Sequence, residues 1–403
     1  MKYVVVLGDG MADYPVSELN NQTPLEAANK PNIDKLAEKG EMGLVKTVPD
    51  HLNPPGSDIA NMSVLGYDPD IFYTGRSPLE AVSMGLQMGE NDLAVRCNLV
   101  TLSDEPAYEN KTMVDYSSDE ISTPESTELI HYLQEKLGSE MLHLYPGISY
   151  RHCLLYKIEG PVKLLCTPPH DISEKPIKEY LPKAPESAIL LDMMKKSYDL
   201  LMDHPINKAR VARGKRPANS LWFWGEGRKP GLSDFYKTYG LKGAVVSAVD
   251  LVKGLGICAN MEVIEVEGAT GNIDTNFTGK MQATVDFLKN GGDFVYLHME
   301  APDECGHRHE IDNKVKAIEL IDAQVVGPLC EALGKIDDYK LLIMPDHPTP
   351  LALRTHTHDA VPYLIYDSRK DTGHPGRRYT EKDGTDVGLY VAKGHELMKH
   401  FIS

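Results

Sequence analysis

The amino-acid sequence predicts an α/β fold, a mixed or parallel sheet flanked by helices, interrupted by an inserted α+β segment. Three observations predict it. Short apolar runs at Tyr3–Leu7, Phe294–Met299, Leu341–Met344 and Val361–Tyr366 read as buried strands. Helically spaced segments lie between them at both ends of the chain. From about Leu93 the texture changes to alternating stretches that suit a sheet with one exposed face. The outer blocks, about 1–92 and 266–403, are therefore expected to form one discontinuous catalytic domain. The middle, about 93–265, is expected to be an inserted cap that excludes water from a cleft.

The elements follow in order. Pro24–Gly40 has helical spacing, with Leu25, Ala28, Ile33, Leu36 and Ala37 apolar. Pro54-Pro55-Gly56-Ser57-Asp58 is a turn that opens a helix over Ile59–Leu65, and Gly66-Tyr67-Asp68-Pro69 ends it. Ser77–Gly85 is a third helix. The alternating stretches are Ala94–Leu102, Arg151–Ile158 and Val162–Thr167, and a helix is expected at Ala188–Leu201. Lys208–Arg228 is basic and aromatic and reads as a loop or helix end. Helices at Thr278–Leu288 and Asn313–Leu333 and a last one near Val387–Phe401 complete the expectation.

Composition narrows the function. The chain has 403 residues, 41% hydrophobic and 25% charged, as a soluble globular protein does. Its formal charge of −17 disfavours nucleic acid as a partner. No apolar stretch approaches membrane length, and the start of the chain is too short in apolar residues for a signal peptide. Cys97, Cys153, Cys166, Cys258, Cys305 and Cys330 are scattered without a CxxC pair, so free thiols in a reducing cytoplasm are expected.

The chemistry sits at strand ends, where α/β proteins build sites. Asp9 follows the first strand between two glycines. Asp303 and His307 are four apart after Phe294–Met299, a spacing that lets both reach one ion from one helical face. Asp346-His347 follows another strand, and His356 and His358 precede the next, one of them expected as a ligand. Hard oxygens mixed with borderline nitrogens suit two divalent cations of the manganese or zinc type, which usually serve phosphoryl or hydrolytic chemistry. Cys305 is bracketed by Asp303 and His307 and is not expected to be a ligand. Ser57 reads as a helix N-cap or as a nucleophile whose phosphoryl group would meet a helix N-terminus. Arg76, Arg96, Arg151, Arg210, Arg213, Lys215, Arg216 and Arg228 are the candidate anion binders.

With these residues in place the chain resembles the alkaline phosphatase superfamily, and within it the archaeal-type branch of cofactor-independent phosphoglycerate mutases. The resemblance covers nearly the whole length. It rests on Leu7-Gly8-Asp9-Gly10, Thr23–Ala28, Pro55-Gly56-Ser57-Asp58, Leu65–Pro69, Arg76, Pro169-His170-Asp171-Ile172, Gly268–Gly271, Ala301–His307 and Asp346–Pro350. It implies an alkaline-phosphatase-like fold, one metal on Asp303, His307 and His356, and a second on Asp9, Asp346, His347 and the Ser57 oxygen. The ions implied are Mn2+ first, then Zn2+, Co2+ or Mg2+. Ser57 would carry a phosphoryl group between the hydroxyls of phosphoglycerate, with Arg76, Arg96, Arg151, Asp115 and Arg216 near the substrate.

Two departures stand out. Asn61 replaces the histidine usual in the family four residues after the serine, and Val114–Asp119 replaces an arginine-rich stretch. Both departures resemble a subgroup proposed to phosphorylate homoserine. The expected activity is thus a phosphoglycerate mutase, with a homoserine kinase as the alternative and a plain phosphohydrolase behind it. The expected partner is a small phosphorylated or hydroxylated metabolite, with neither nucleic acid nor membrane.

Overall fold

The structure, a computed structural model, describes residues 1–403. Its thirteen strands are β1 (Lys2–Gly8), β2 (Glu41–Val45), β3 (Asp92–Leu102), β4 (Met113–Asp115), β5 (Leu142–Tyr145), β6 (Arg151–Lys157), β7 (Ser220–Arg228), β8 (Gly243–Val246), β9 (Glu262–Ile264), β10 (Phe294–Met299), β11 (Tyr339–Met344), β12 (Val361–Asp367) and β13 (Tyr390–Val391). They divide between two compact units, Met1–Tyr73 with Gly231–Ser403, and Thr74–Pro230.

The first unit holds an eight-stranded mixed sheet in the order β13-β2-β12-β11-β1-β10-β8-β9. β1 lies at its centre, parallel to β10 on one side and β11 on the other. β12 runs antiparallel to both β11 and β2. Val4–Leu7, Phe294–Met299 and Tyr339–Met344 are buried, which is why these strands read as unbroken apolar runs. Helices carry the rest of this core, including Ile33, Val285, Leu288, Ile318 and Leu329.

The second unit is built on a five-stranded antiparallel sheet. The long strand β3 pairs with β6 and β4 on one edge and with β7 on the other. Helices Thr123–Leu137 and Ala188–Met202 bury Leu129, Leu133, Leu190 and Met194 with Val95, Leu99 and Trp222. The units divide at 73/74 and 230/231, whereas the sequence suggested 92/93 and 265/266. Packing explains the difference. Helix Ser77–Ser83 lies against β3 and β7, while β8 and β9 extend the eight-stranded sheet beside β10.

Four segments differ from the reading of the sequence. Pro24–Gly40 is two helices, Pro24–Ala27 and Pro31–Ala37, because Pro31 starts a new one. Asn313–Leu333 contains a π-helical stretch at Ile321–Val326. Pro328, just beyond it, has no N–H to continue the ladder, and a widened turn absorbs that loss. The same stretch aims Asp322 at the helix from Pro31, where it accepts from the Ile33 N–H at 2.7 Å. Val162–Thr167 forms no strand; Leu165 is left-handed there, with φ 51°. The last segment is two helices, Glu381–Val387 and Glu396–Ile402, separated by β13, because Gly388 at φ 77° ends the first. The basic segment 208–228 proves to be the end of helix Pro205–Ala212 followed by β7.

Candidate active site

Parallel pairing of β1 with β10 and β11 brings three strand ends side by side. Leu7 stands opposite His298 on one neighbour and Met344 on the other. The residues that follow are Asp9, the helix Ala301–Arg308, and Asp346-His347. The Asp9 N–H donates to the Met299 carbonyl at 2.9 Å, continuing the ladder to the site.

The first nest joins Asp9, Asp346, His347 and Ser57. His347 Nε2 lies 3.5 Å from Asp9 Oδ1, 3.3 Å from Asp346 Oδ2 and 3.0 Å from Ser57 Oγ. Asp346 Oδ1 accepts from the N–H groups of Gly10 and His347, at 3.2 and 2.9 Å. Ser57 is the first residue of helix Ser57–Val64, and Gly56, in extended conformation, is its N-cap. Ser57 is therefore not the capping residue. Its hydroxyl makes no cap bond, and that leaves it facing His347.

The second nest joins Asp303, His307 and His356. Asp303 Oδ2 is 3.3 Å from His307 Nε2, Asp303 Oδ1 is 3.3 Å from His356 Nε2, and the two Nε2 atoms are 2.9 Å apart. His356 stacks on His347 at 3.8 Å between ring centroids, so the nests are adjacent. His358 points elsewhere, with Nε2 2.9 Å from the Leu52 carbonyl.

Hydrogen bonding assigns the tautomers. Thr349 Oγ1 donates to Asp303, so its oxygen accepts from His347 Nδ1–H at 3.3 Å. That leaves the His347 Nε2 lone pair in the first nest. His307 Nδ1–H donates to the Arg354 carbonyl at 2.9 Å, which leaves Nε2 aimed at the second nest. Burial lowers the His347 pKa and keeps that ring neutral. The hydrogen bond to Asp303 instead pulls His307 up to about 9.

These donors fit divalent cations. Asp9, Asp303 and Asp346 are 2%, 5% and 0% exposed, and their ion-pair partners are histidines, never lysine or arginine. Three buried carboxylates this close repel one another. Burial, then Asp346 and Asp303, push the Asp9 pKa well above the usual range. Burial pushes Asp303 the same way, but hydrogen bonds from His307 and His356 outweigh it and hold this carboxyl well below its ordinary value. Asp9 Oδ1 is buried without any hydrogen-bond partner. A lone buried carboxylate oxygen costs several kcal/mol unless a cation meets it. Two groups have ligand atoms all within 4.8 Å of one another, Asp9–Asp346–His347 and Asp303–His347–His356.

Other residues support this layer without any sequence motif to announce them. His298 Nε2 donates to Asp9 Oδ2 at 2.9 Å, and its Nδ1 meets Ser247 Oγ at 3.2 Å. Burial drives that imidazole down to about 3, so it is neutral. Asn61 bonds Asp346 Oδ2 at 2.8 Å. The buried pair Lys314–Asp13, 2.7 Å apart, braces the segment after His347. His298 sits within an apolar strand, where only its partner Asp9 reveals its role.

In the second unit the candidate substrate residues are largely engaged with one another. Arg76 and Arg96 both pair with Glu80, and Arg96 stacks over Trp224 at 4.4 Å. Asp115 accepts from the N–H groups of Ser117 and Asp119 and pairs with Arg216 at 3.1 Å. Arg151 is exposed and makes no ion pair; its guanidinium lies 5.9 Å from the Tyr150 ring. Arg210 is buried against Glu125 and Arg213 also meets Glu125, while Arg228 bonds backbone carbonyls.

The sequence profile of the 2,3-bisphosphoglycerate-independent phosphoglycerate mutase family matches residues 37–207. A relative from Geobacter sulfurreducens, described as a probable 2,3-bisphosphoglycerate-independent phosphoglycerate mutase, is 47% identical over 99% of both chains. A mutase of that name from Methanothrix thermoacetophila is 48% identical over 100% of both. Among solved structures, a Pyrococcus horikoshii protein superposes with a TM-score of 0.82 at 31% identity, covering 100% of this chain and 96% of the other. A cofactor-independent phosphoglycerate mutase from Thermoplasma acidophilum superposes with 0.68 at 25% identity, covering 100% of both. Fold and site define an α/β enzyme with carboxylate–imidazole nests beside the Ser57 hydroxyl. The chain belongs to the 2,3-bisphosphoglycerate-independent phosphoglycerate mutase family. These matches give the homoserine-kinase alternative no support.

Proposed function

We propose that this chain interconverts 3-phosphoglycerate and 2-phosphoglycerate by phosphoryl transfer through Ser57. One observation carries the reading: Ser57 Oγ, free of any capping duty, lies 3.0 Å from His347 Nε2 beside the orphaned Asp9 oxygen. Asp303, His307 and His356 would hold one divalent ion, and Asp9, Asp346, His347 and the Ser57 hydroxyl the other. Mn2+ suits this mixture of oxygen and nitrogen donors. Such ions, when bound, lower the pKa of the hydroxyl and offset the charge of the phosphoryl oxygens.

The residues of the chain then do the rest. Ser57 Oγ gives up its proton and forms the new P–O bond, the P–O3 bond of 3-phosphoglycerate breaks, and the released O3 takes up a proton in its place. Phosphoserine 57 would lie at the start of helix Ser57–Val64, where unpaired backbone N–H groups favour an anion. The 2-hydroxyl of glycerate then gives up its proton and forms a bond to the same phosphorus, the P–Oγ bond breaks, and Ser57 Oγ takes a proton back. Arg151 is proposed for the carboxylate of the acid, since its guanidinium has no carboxylate partner of its own. Arg76 and Arg96 would act through their shared pairing with Glu80, and Arg216 and Asp115 through their own ion pair. The unit Thr74–Pro230 is proposed as the cap, and the remainder as the catalytic domain.

No helix is long and apolar enough to cross a membrane, and all six cysteines are free, which supports a cytoplasmic setting. The test is phosphorus NMR of pure protein with Mn2+ and 3-phosphoglycerate. Appearance of 2-phosphoglycerate, with phosphoserine 57 trapped by rapid quench, is the expected result. Inorganic phosphate as the sole product would replace the mutase with a phosphohydrolase.

A further inference from the structure

Asn61 is fully buried in the middle of helix Ser57–Val64. Asparagine is a poor helix former, because its amide competes for backbone groups. Here that competition has a use. Asn61 Nδ2 donates to the Ser57 carbonyl at 2.8 Å and to Asp346 Oδ2 at 2.8 Å. Its Oδ1 accepts from the Tyr296 hydroxyl at 2.6 Å. Tyr296 lies in β10, is fully buried, and makes no other side-chain hydrogen bond.

An amide can point either way, and here the choice matters. With Oδ1 turned toward Asp346, its oxygen would face a carboxylate and a carbonyl at bonding distance, and both contacts would repel. The Tyr296 proton has one acceptor, Asn61 Oδ1, and so selects the orientation in which the N–H groups face Asp346 and Ser57. The amide is also neutral. It orients Asp346 without cancelling the negative charge that a cation would need, as a lysine would.

We infer that Asn61, oriented by Tyr296, is the positioning residue that holds Ser57 against Asp346. The inference rests on the proposed role of Ser57 and Asp346, and it makes Tyr296 a remote determinant of the site. Tyr296 touches neither a candidate ligand nor Ser57 through any hydrogen bond of its own.

The test uses the full-length protein, stripped of metal by chelation and titrated with Mn2+. Asn61→Ala should weaken Mn2+ binding by about 10–100-fold, the usual cost of losing a partner that orients a ligand. Tyr296→Phe should weaken it by about 10-fold, while the double variant should match Asn61→Ala within about 2-fold, since Tyr296 acts only through Asn61. At saturating Mn2+ both single variants should lower kcat and leave KM for 3-phosphoglycerate within about 2-fold. Unchanged Mn2+ affinity in Tyr296→Phe would overturn the inference, and so would simple additivity in the double variant. Should Asn61→Ala fail to fold, Tyr296→Phe decides alone, because it keeps the shape of the ring. Mn2+ titration needs no substrate, so a wild type inactive on 3-phosphoglycerate would remove the proposed reaction and leave this outcome readable.

Discussion

Lys314→Met should destabilise the first unit more than any surface substitution. Lys314 and Asp13 form an ion pair at 2.7 Å with side chains 0% and 1% exposed. The ammonium also donates to the Thr349 carbonyl at 2.8 Å. Asp13 accepts from the N–H groups of Tyr14 and Leu351, at 2.8 and 3.1 Å. At that separation and an effective dielectric of about 20, the attraction is about 6 kcal/mol before desolvation is charged against it. Methionine fills the space of the lysine stem but leaves Asp13 charged in a dry site. Breaking one side of a buried pair costs about 3–5 kcal/mol. The loss should appear in urea unfolding followed by far-UV circular dichroism. Removing both charges, in Lys314→Met with Asp13→Leu, should recover at least half of it, because no unpaired charge is left. Mn2+ affinity should fall in the single variant, since Thr349 hydrogen-bonds both Asp303 and His347. A loss under about 1 kcal/mol, or a double variant as unstable as the single, would refute the reasoning.

Three further outcomes are expected. Ser57→Ala should abolish turnover yet shift unfolding by less than about 0.5 kcal/mol, because Gly56 and not Ser57 is the N-cap; a larger loss by denaturant titration would restore a capping role. Mn2+ at 100 times its Kd should stabilise the metal-free protein by about 2.7 kcal/mol, and chelator should reverse this; an unfolding midpoint indifferent to Mn2+, Zn2+ and Co2+ would remove the cation sites. Asp367 is held down to about 2, chiefly by its hydrogen bond with Arg369. A depressed carboxylate contributes stability above its unfolded pKa and loses it as pH falls through the folded value. Asp367→Asn should therefore be less stable by about 1 kcal/mol at pH 7, with the gap closing between about pH 4 and pH 2; a gap independent of pH would contradict the ion pair.

Much of this protein was legible in one dimension. The strands at Tyr3–Leu7, Phe294–Met299, Leu341–Met344 and Val361–Tyr366 could be read because burial on both faces demands unbroken apolar runs. Asp9, Asp303, His307, Asp346 and His347 could be read because they sit just beyond those runs, where parallel strands end together. Short elements were missed, such as β2 and β13, whose pairing and not their composition makes them strands. Proline position split the expected long helices, a local effect that long-range spacing conceals. His298 and Tyr296 were hidden for a different reason: inside an apolar strand, their polar atoms declare a purpose only when a partner from another element arrives. The sequence by itself determined which residues could carry the chemistry, since residue type and strand-end position are local properties. Only the tertiary structure decided that His356 and not His358 joins the cluster, which nitrogen each histidine turns inward, and that Asn61 ties Ser57 to Asp346. The first and last of those choices depend on hydrogen bonds between residues 49 to 306 positions apart, and no local pattern encodes them.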